Sequence, residues 1–225
     1  MSNTLPVNVA DLLKQELANL NKMTASTGST KVDCKGKGFS LPGDKDTTIK
    51  YPMKAVVLDF GSYNAYYDKP FDKNAEPEAP PCYAYGKFVQ QLTPSAAARN
   101  PQAENCSVCP LNQFGSKGAG KACGNKRILA AVVLNGPEAF DPQTAKIFRI
   151  DVSATGIKHW DKYVKDVQHT FGVPPVGVIT DISSADEVDY VSLRFSNPTP
   201  NPHLEALMGR KSEAASMLEQ DPHNR

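Results

Sequence analysis

The chain has almost no excess charge of either sign: 25 Lys and Arg against 24 Asp and Glu leave a formal net charge of +1 over 225 residues. No global field draws it to nucleic acid or to an anionic membrane, so any such attraction must come from how the charges are distributed. Long hydrophobic runs are missing as well. None approaches the run of about eighteen apolar residues that crosses a bilayer as a helix, so no membrane partner is expected. Cysteine is scarce and odd in number, five in all, and the chain opens without a signal-peptide pattern. A disulfide framework is therefore not expected. The catalytic signatures G-x-S-x-G and H-E-x-x-H are both absent.

Three of the five cysteines sit in one stretch, CSVCPLNQFGSKGAGKACGNKR, residues 106–127. Gly115, Gly120 and Lys121 fit the phosphate-loop spacing G-x-x-x-x-G-K, but Ala122 stands where a magnesium-binding hydroxyl belongs. The loop also lacks a preceding apolar strand and a following helix. A metal accounts for more of the same residues. Cys106 and Cys109 form a C-x-x-C knuckle, and Pro110 with Gly115, Gly118 and Gly120 gives a tight return to Cys123. Cys82, in the stiff PPCYAYG, supplies the fourth sulfur in preference to Cys34, which lies in the loose basic tract KVDCKGKG. Four thiolates suit a closed tetrahedral Zn2+ site that folds its loop and leaves no open position for substrate. They would also suit an iron–sulfur cluster, and buried free thiols are the plain alternative.

Along the chain, VNVADLLKQELANLNK (7–22) places Val9, Leu12, Leu13, Leu17 and Leu20 on one helical stripe with Asn8 as cap. A polar basic linker follows, so residues 1–38 read as a helix and arm. MKAVVLDFGSYNAYYD is rich in β-branched and aromatic residues and reads as strand. RILAAVVLNG and AKIFRIDVS read as a strand pair, GIKHWDKYVKDVQHTF as an amphipathic helix, and VGVITDISSADEVDYVSLRFS as two further strands. A closing helix from NPHLEALMGRKSEAASMLEQ, with Asn201 as cap and Pro202 in the first turn, occupies 201–225. The fold class is mainly β with flanking helices (α+β). Strands, one helix and two more strands suit an OB-like five-stranded barrel over 39–200, with the four-cysteine metal loop inserted at about 82–125.

Six of the eight tyrosines cluster between residues 51 and 85. Single strands of nucleic acid are held by rings that stack bases and cations that follow phosphates. Tyr63, Tyr67, Tyr85 and Phe114 are the candidate stacking rings, and Lys35, Lys37, Lys117, Lys121, Lys126 and Arg127 the candidate phosphate contacts. A solvated basic loop and a tyrosine-lined core are the bland readings of the same residues. An enzyme is not expected. The catalytic alternative is a magnesium-dependent nuclease using Asp59 and Asp181, and the acidic run Asp186, Glu187 and Asp189 reads as a solvated turn.

The pattern C-x-x-C-P-x-N-x-F-G-S followed by G-K-A-C-x-N-x-R resembles a group of tailed-phage proteins, some of them single-stranded DNA-binding. YYDKPFD, FRIDVSATGIKHWDKYV, VGVITDIS and LRFS extend the resemblance over residues 39–196. It implies a metal-bearing, OB-like phage protein that acts on single-stranded DNA in replication or transcription in the host cytoplasm. The other reading is an accessory factor that docks through the metal loop on a polymerase or another phage or host protein. Many phage single-stranded DNA-binding proteins end in an acidic tail that recruits partners, whereas this sequence ends DPHNR.

Overall fold

A computed structural model describes residues 30–35, 38–70, 78–185 and 190–223. The helix expected over 7–22, Lys37, and Asp186, Glu187 and Asp189 lie outside the described residues. From Thr30 onward the described residues form one compact unit, which takes in strands before residue 39 and helices after residue 200.

Three short strands come first: β1 (Asp33–Lys35), β2 (Gly38–Leu41) and β3 (Asp44–Lys50), paired antiparallel in that order. They use part of the stretch read as an arm, and their Phe39 and Ile49 are buried in the main core. The main sheet is organised by β4 (Met53–Tyr66). One edge of β4 pairs with β6 (Gly124–Val133) over most of its length. The other edge is shared: β8 (Val178–Ser184) pairs with the Met53 end and β5 (Cys82–Gly86) with the Tyr66 end. β7 (Ile147–Val152) extends the sheet beyond β6, and β9 (Leu193–Pro200) beyond β8, giving the path β7-β6-β4-β8-β9 with β5 beside it.

The expected barrel does not close. No ladder joins β7 to β9 among the described residues. The outer edge of β7 is taken instead at Arg149 by residues 30–32, whose Thr30 carbonyl accepts from Arg149 N (2.9 Å) and whose Val32 N donates to Arg149 O (2.8 Å). At the far end β9 carries Pro198 and Pro200, which cannot donate to a further strand.

A β-bulge in β4 sets which side chains face which way. Val57 pairs with Ala131 but Asp59 with Ala130, so Leu58 is an extra residue. Met53, Ala55 and Val57, then Phe60, face a core completed by α1 (Ala154–Phe171) through Trp160, Tyr163 and Val167. Those three residues recur at helical spacing on the stripe read from the sequence, and Gly172 at φ 68° ends the helix in the left-handed conformation. Val56 and Leu58 face the opposite core, covered by Leu207 and Ala214. Those two belong to α2 (Leu204–Gly209) and α3 (Lys211–Glu219), so the single closing helix is in fact two, broken at Arg210. Asn201 does not cap them; it is buried, donating to Val176 O and accepting from His203 N.

Candidate metal centre and nucleic-acid interface

Past the bulge, alternate residues of β4 send Asn64 and Tyr66 to one face and Tyr63 and Ala65 to the other. On the first face Tyr66 pairs with Cys82 and Asn64 with Ala84 across β5, and Asn64 with Asn125 across β6. The loop between β5 and β6 folds over this end. Cys106 N donates to Leu92 O (2.9 Å), Asn112 N to Cys109 O (3.0 Å), and Cys123 N to Leu111 O (2.8 Å). These bonds bring Cys82, Cys106, Cys109 and Cys123, all buried and unbridged, onto one small cavity with Tyr66, Leu111 and Asn112. Its free volume is about 10 Å3, room for roughly one water-sized guest. Cys34 is elsewhere, against the Tyr51 hydroxyl at 3.1 Å.

Burial and the other three sulfurs push the Cys123 thiol up to about 12. Burial raises Cys106 too, joined by Cys82 and Cys109 and opposed by Asn64. A divalent cation held by these four sulfurs would reverse this balance, because ligation favours thiolates and offsets their mutual repulsion. Among the described residues no group of three or more His, Cys, Asp or Glu side chains stands ready at the spacing of a metal shell. In donor chemistry the four cysteines suit structural zinc. One further observation belongs to the same place: Asn64 Nδ2 is buried with no hydrogen-bond partner. Leaving such a donor unsatisfied costs about 1–3 kcal/mol.

The phosphate-loop resemblance of residues 115–122 has no structural counterpart. Gly115 N, Lys117 N and Gly120 N are spent within the turn, Ala122 N donates to Ser116 Oγ, and a strand follows instead of a helix. The same turn, with Gly115 at φ 89° and Gly118 at φ 58°, holds Phe114 and Lys117 outward. Phe114 is 81% exposed, and Lys121 Nζ lies 5.0 Å from its ring centroid. Lys121 also reaches Asn112 Oδ1 at 3.4 Å. Val108 on the same loop is 71% exposed.

The opposite face of β4 is closed. Tyr63 is buried against Tyr83 and Ile128, and its hydroxyl meets His223 Nε2 at 2.8 Å. The Tyr83 hydroxyl donates to Asp221 Oδ2 (2.7 Å), which Ser95 also approaches. Tyr85 is half-buried and stacks on Tyr83 at 6.4 Å. Of the four candidate rings, Phe114 and Tyr67 are open to solvent, Tyr85 partly so, and Tyr63 is enclosed. Burial first, then Tyr67, raises the Tyr63 phenol, so it stays neutral.

The cations divide in the same manner. Lys117 is exposed. Arg127 is bound into the fold, donating to both Asp161 oxygens (3.3 and 3.2 Å) and to Ser62 Oγ (3.1 Å), which ties β6 to α1. Lys35 lies in β1 by its backbone. Lys126 joins a cluster that the sequence did not reveal: Lys31, Lys126 and Arg149 converge on Asp151 at 3.6, 3.5 and 2.7 Å. Burial pushes the Asp151 carboxyl up, but Arg149, with Lys31 and Lys126, outweighs it and holds the group below its ordinary range. Lys126 and Arg149 also lie within 5.9 and 5.8 Å of the Tyr63 ring. In sequence Arg149 is one charge in IFRIDV; only its register opposite Ala130 and its bridge to Lys31 make it part of a cationic shelf.

Asp59 and Asp181 do not share a site. Asp59 is paired with Lys87 at 2.7 Å and Asp181 with Lys54 at 2.8 Å. Asp181 stands opposite Lys54 in the ladder, five residues from Asp59 along β4, a separation of about 16 Å at the usual strand rise. Comparison of the chain with protein-family models, with curated proteins and with solved structures finds no match.

Proposed function

We propose that this protein binds single-stranded DNA without sequence choice, as an OB-like phage protein whose inserted loop is folded by a structural zinc ion, serving replication or transcription in the host cytoplasm. The observation that carries the reading is Phe114: a phenylalanine 81% exposed on a loop pinned by internal hydrogen bonds, with a lysine over its ring. An apolar ring held outward is left unburied in the free protein and gains about 1–3 kcal/mol when a base stacks on it. Lys117 and Lys121 beside it suit phosphates, and on the other face of β4 exposed Tyr67 and the Lys126 and Arg149 shelf around Asp151 offer the same chemistry. Five main-sheet strands on one path, with α1 between β7 and β8, suit an opened OB-type arrangement. Cys82, Cys106, Cys109 and Cys123 would hold the zinc, which supplies cohesion to the loop and takes no part in a reaction.

Binding of labelled oligo-dT, against duplex of the same length, tests this. Four phosphate contacts on a single strand give a log–log salt slope near −3, or roughly fifty-fold weakening between about 50 and 200 mM salt. Phe114→Ala should weaken binding roughly five- to hundred-fold. No binding to oligo-dT even at the lower salt would overturn the proposal.

One observation favours a second reading, that of an accessory factor docking on a replication or transcription protein. Val108 and Phe114 are both strongly exposed on the cysteine loop, as anchor residues of a protein interface would be. Under this reading Val108→Asp abolishes capture of that partner and leaves oligo-dT unaffected.

A further inference from the structure

Tyr63, Tyr83 and Tyr85 form one patch, because Tyr63 stands opposite Tyr85 and Ala65 opposite Tyr83 in the ladder of β4 and β5. Residues 221–223, DPH, lie against it, and the two outer ones carry a carboxylate and a nitrogen-bearing ring. Hydroxyls receive the carboxylate: Tyr83 donates to Asp221 Oδ2 at 2.7 Å and Ser95 Oγ donates to the same oxygen at 3.2 Å. Ser95 is itself fastened to β5, its N–H donating to Tyr83 O at 2.8 Å. The His223 imidazole is T-shaped to Tyr83, with centroids 4.7 Å apart and planes at 71°, and is tilted to Tyr63 at 6.0 Å and 45°. Its Nε2 meets the Tyr63 hydroxyl at 2.8 Å. Cations border the patch. Lys126 Nζ and the Arg149 guanidinium lie 5.9 and 5.8 Å from the Tyr63 ring centroid, and both share the one carboxylate of Asp151.

We infer that this patch is a seat for one nucleotide unit of single-stranded DNA, and that Asp221 and His223 occupy it in the free protein as an internal stand-in. The inference rests on the single-strand reading and adds to it a place on the sheet, apart from the Phe114 loop. A phosphate needs donors and nearby positive charge, and a base needs aromatic neighbours and a group that meets its ring nitrogens. Asp221 and His223 present that pair of groups, an anion and a planar nitrogen-bearing ring, within one short segment. An entering strand replaces both. Its phosphate takes the Tyr83 and Ser95 hydroxyls, and its base takes the place of the imidazole beside Tyr63 and Tyr83. The exchange favours the strand because a phosphate chain also reaches Lys126 and Arg149, two cations that share a single acid. No covalent bond changes. Since the stand-in must leave first, the apparent affinity is reduced by the fraction of molecules in which the seat is open.

The direct test uses the full chain, labelled with 13C and 15N, with and without oligo-dT. In the free protein, nuclear Overhauser contacts are expected from the His223 ring protons to the rings of Tyr63 and Tyr83. On saturation with oligo-dT those contacts should vanish, replaced by contacts from the same tyrosine rings to thymidine protons. In parallel, His223→Ala should tighten oligo-dT roughly two- to tenfold, the span of one ordinary hydrogen bond released from competition. A saturated complex in which His223 keeps its contacts to Tyr63 and Tyr83 overturns the seat while keeping the single-strand reading. A folded His223→Ala that binds no tighter than wild type overturns the stand-in. A wild type that does not bind oligo-dT removes the single-strand reading and the inference together. If His223→Ala does not fold, the wild-type contacts alone decide.

Discussion

The far half of β4 has two faces made from neighbouring residues, and they are finished to different degrees. On one, Tyr63 and Tyr83 are buried and both hydroxyls meet partners from residues 221–223. On the other, Asn64 carries a buried nitrogen with no partner, beside four buried thiols that are not bridged. The first face needs nothing more from outside the chain. The second keeps one buried donor without an acceptor. Exposure by itself would not have separated them, since both faces are covered; the difference lies in whether each polar atom has somewhere to donate.

The largest effect is expected at the unfinished face. Cys106→Ser removes one of the four ligands of the proposed zinc site, and such ligation is worth on the order of 10 kcal/mol in small zinc modules. Amide exchange should then lose protection across residues 82–125 only, because neither of the two large cores draws a buried residue from 87–123. Uniform loss of protection would erase the distinction between loop and sheet. Next in size is Tyr83→Phe on the finished face, which deletes a hydrogen bond to a carboxylate and should cost about 1.5–3 kcal/mol in urea unfolding. Metal uptake should be unchanged, and a change there would mean that the two faces communicate.

A third test uses pH. Burial pushes the Asp221 carboxyl up, but the His223 backbone N–H and the Tyr83 and Ser95 hydroxyls outweigh it and hold the group below its ordinary range. A carboxyl lowered by folding stabilises the protein above the unfolded value of about 4 and loses that contribution as pH falls through the folded value. Asp221→Asn should therefore flatten the acid limb of the stability profile below pH of about 4. An unchanged limb would show that Asp221 is not held by its neighbours. The smallest effect on stability is expected for Phe114→Ala, within about 0.5 kcal/mol in thermal unfolding because the ring is 81% exposed. A larger cost would place the ring in the fold rather than at its surface.

Much of the framework was legible in the sequence, because β-branched runs and the 3.6-residue stripe of α1 are local signals. The stiff prolines near Cys82 and Cys109 and the return through glycines likewise singled out the four cysteines that share the cavity. What could not be read depends on register and long-range contact. The Leu58 bulge leaves no mark in an apolar run, and it is responsible for placing Asn64 on the cysteine side. Asn112 and Asn125 are letters of the motif, but Asn64, which accepts from Asn125 at 2.7 Å, lies inside SYNAYY with nothing to mark it. The open edge follows from residues 30–32 lying along β7, a contact across more than a hundred positions. The enclosure of Tyr63 follows from the last residues of the chain folding back, and alternation within one strand carries no trace of that.

Leu58 has a consequence of its own. With Val57 opposite Ala131 and Asp59 opposite Ala130, it is the residue of β4 that could be excised with every cross-strand partnership on β6 intact. Excising Gly61 instead would invert the remainder of the strand, turning the tyrosine toward the sulfurs and the asparagine toward the C-terminal helices. Two single-residue deletions three positions apart should therefore give opposite results: one a protein short of a core leucine that still gathers its cysteines, the other a protein in which they have lost their floor.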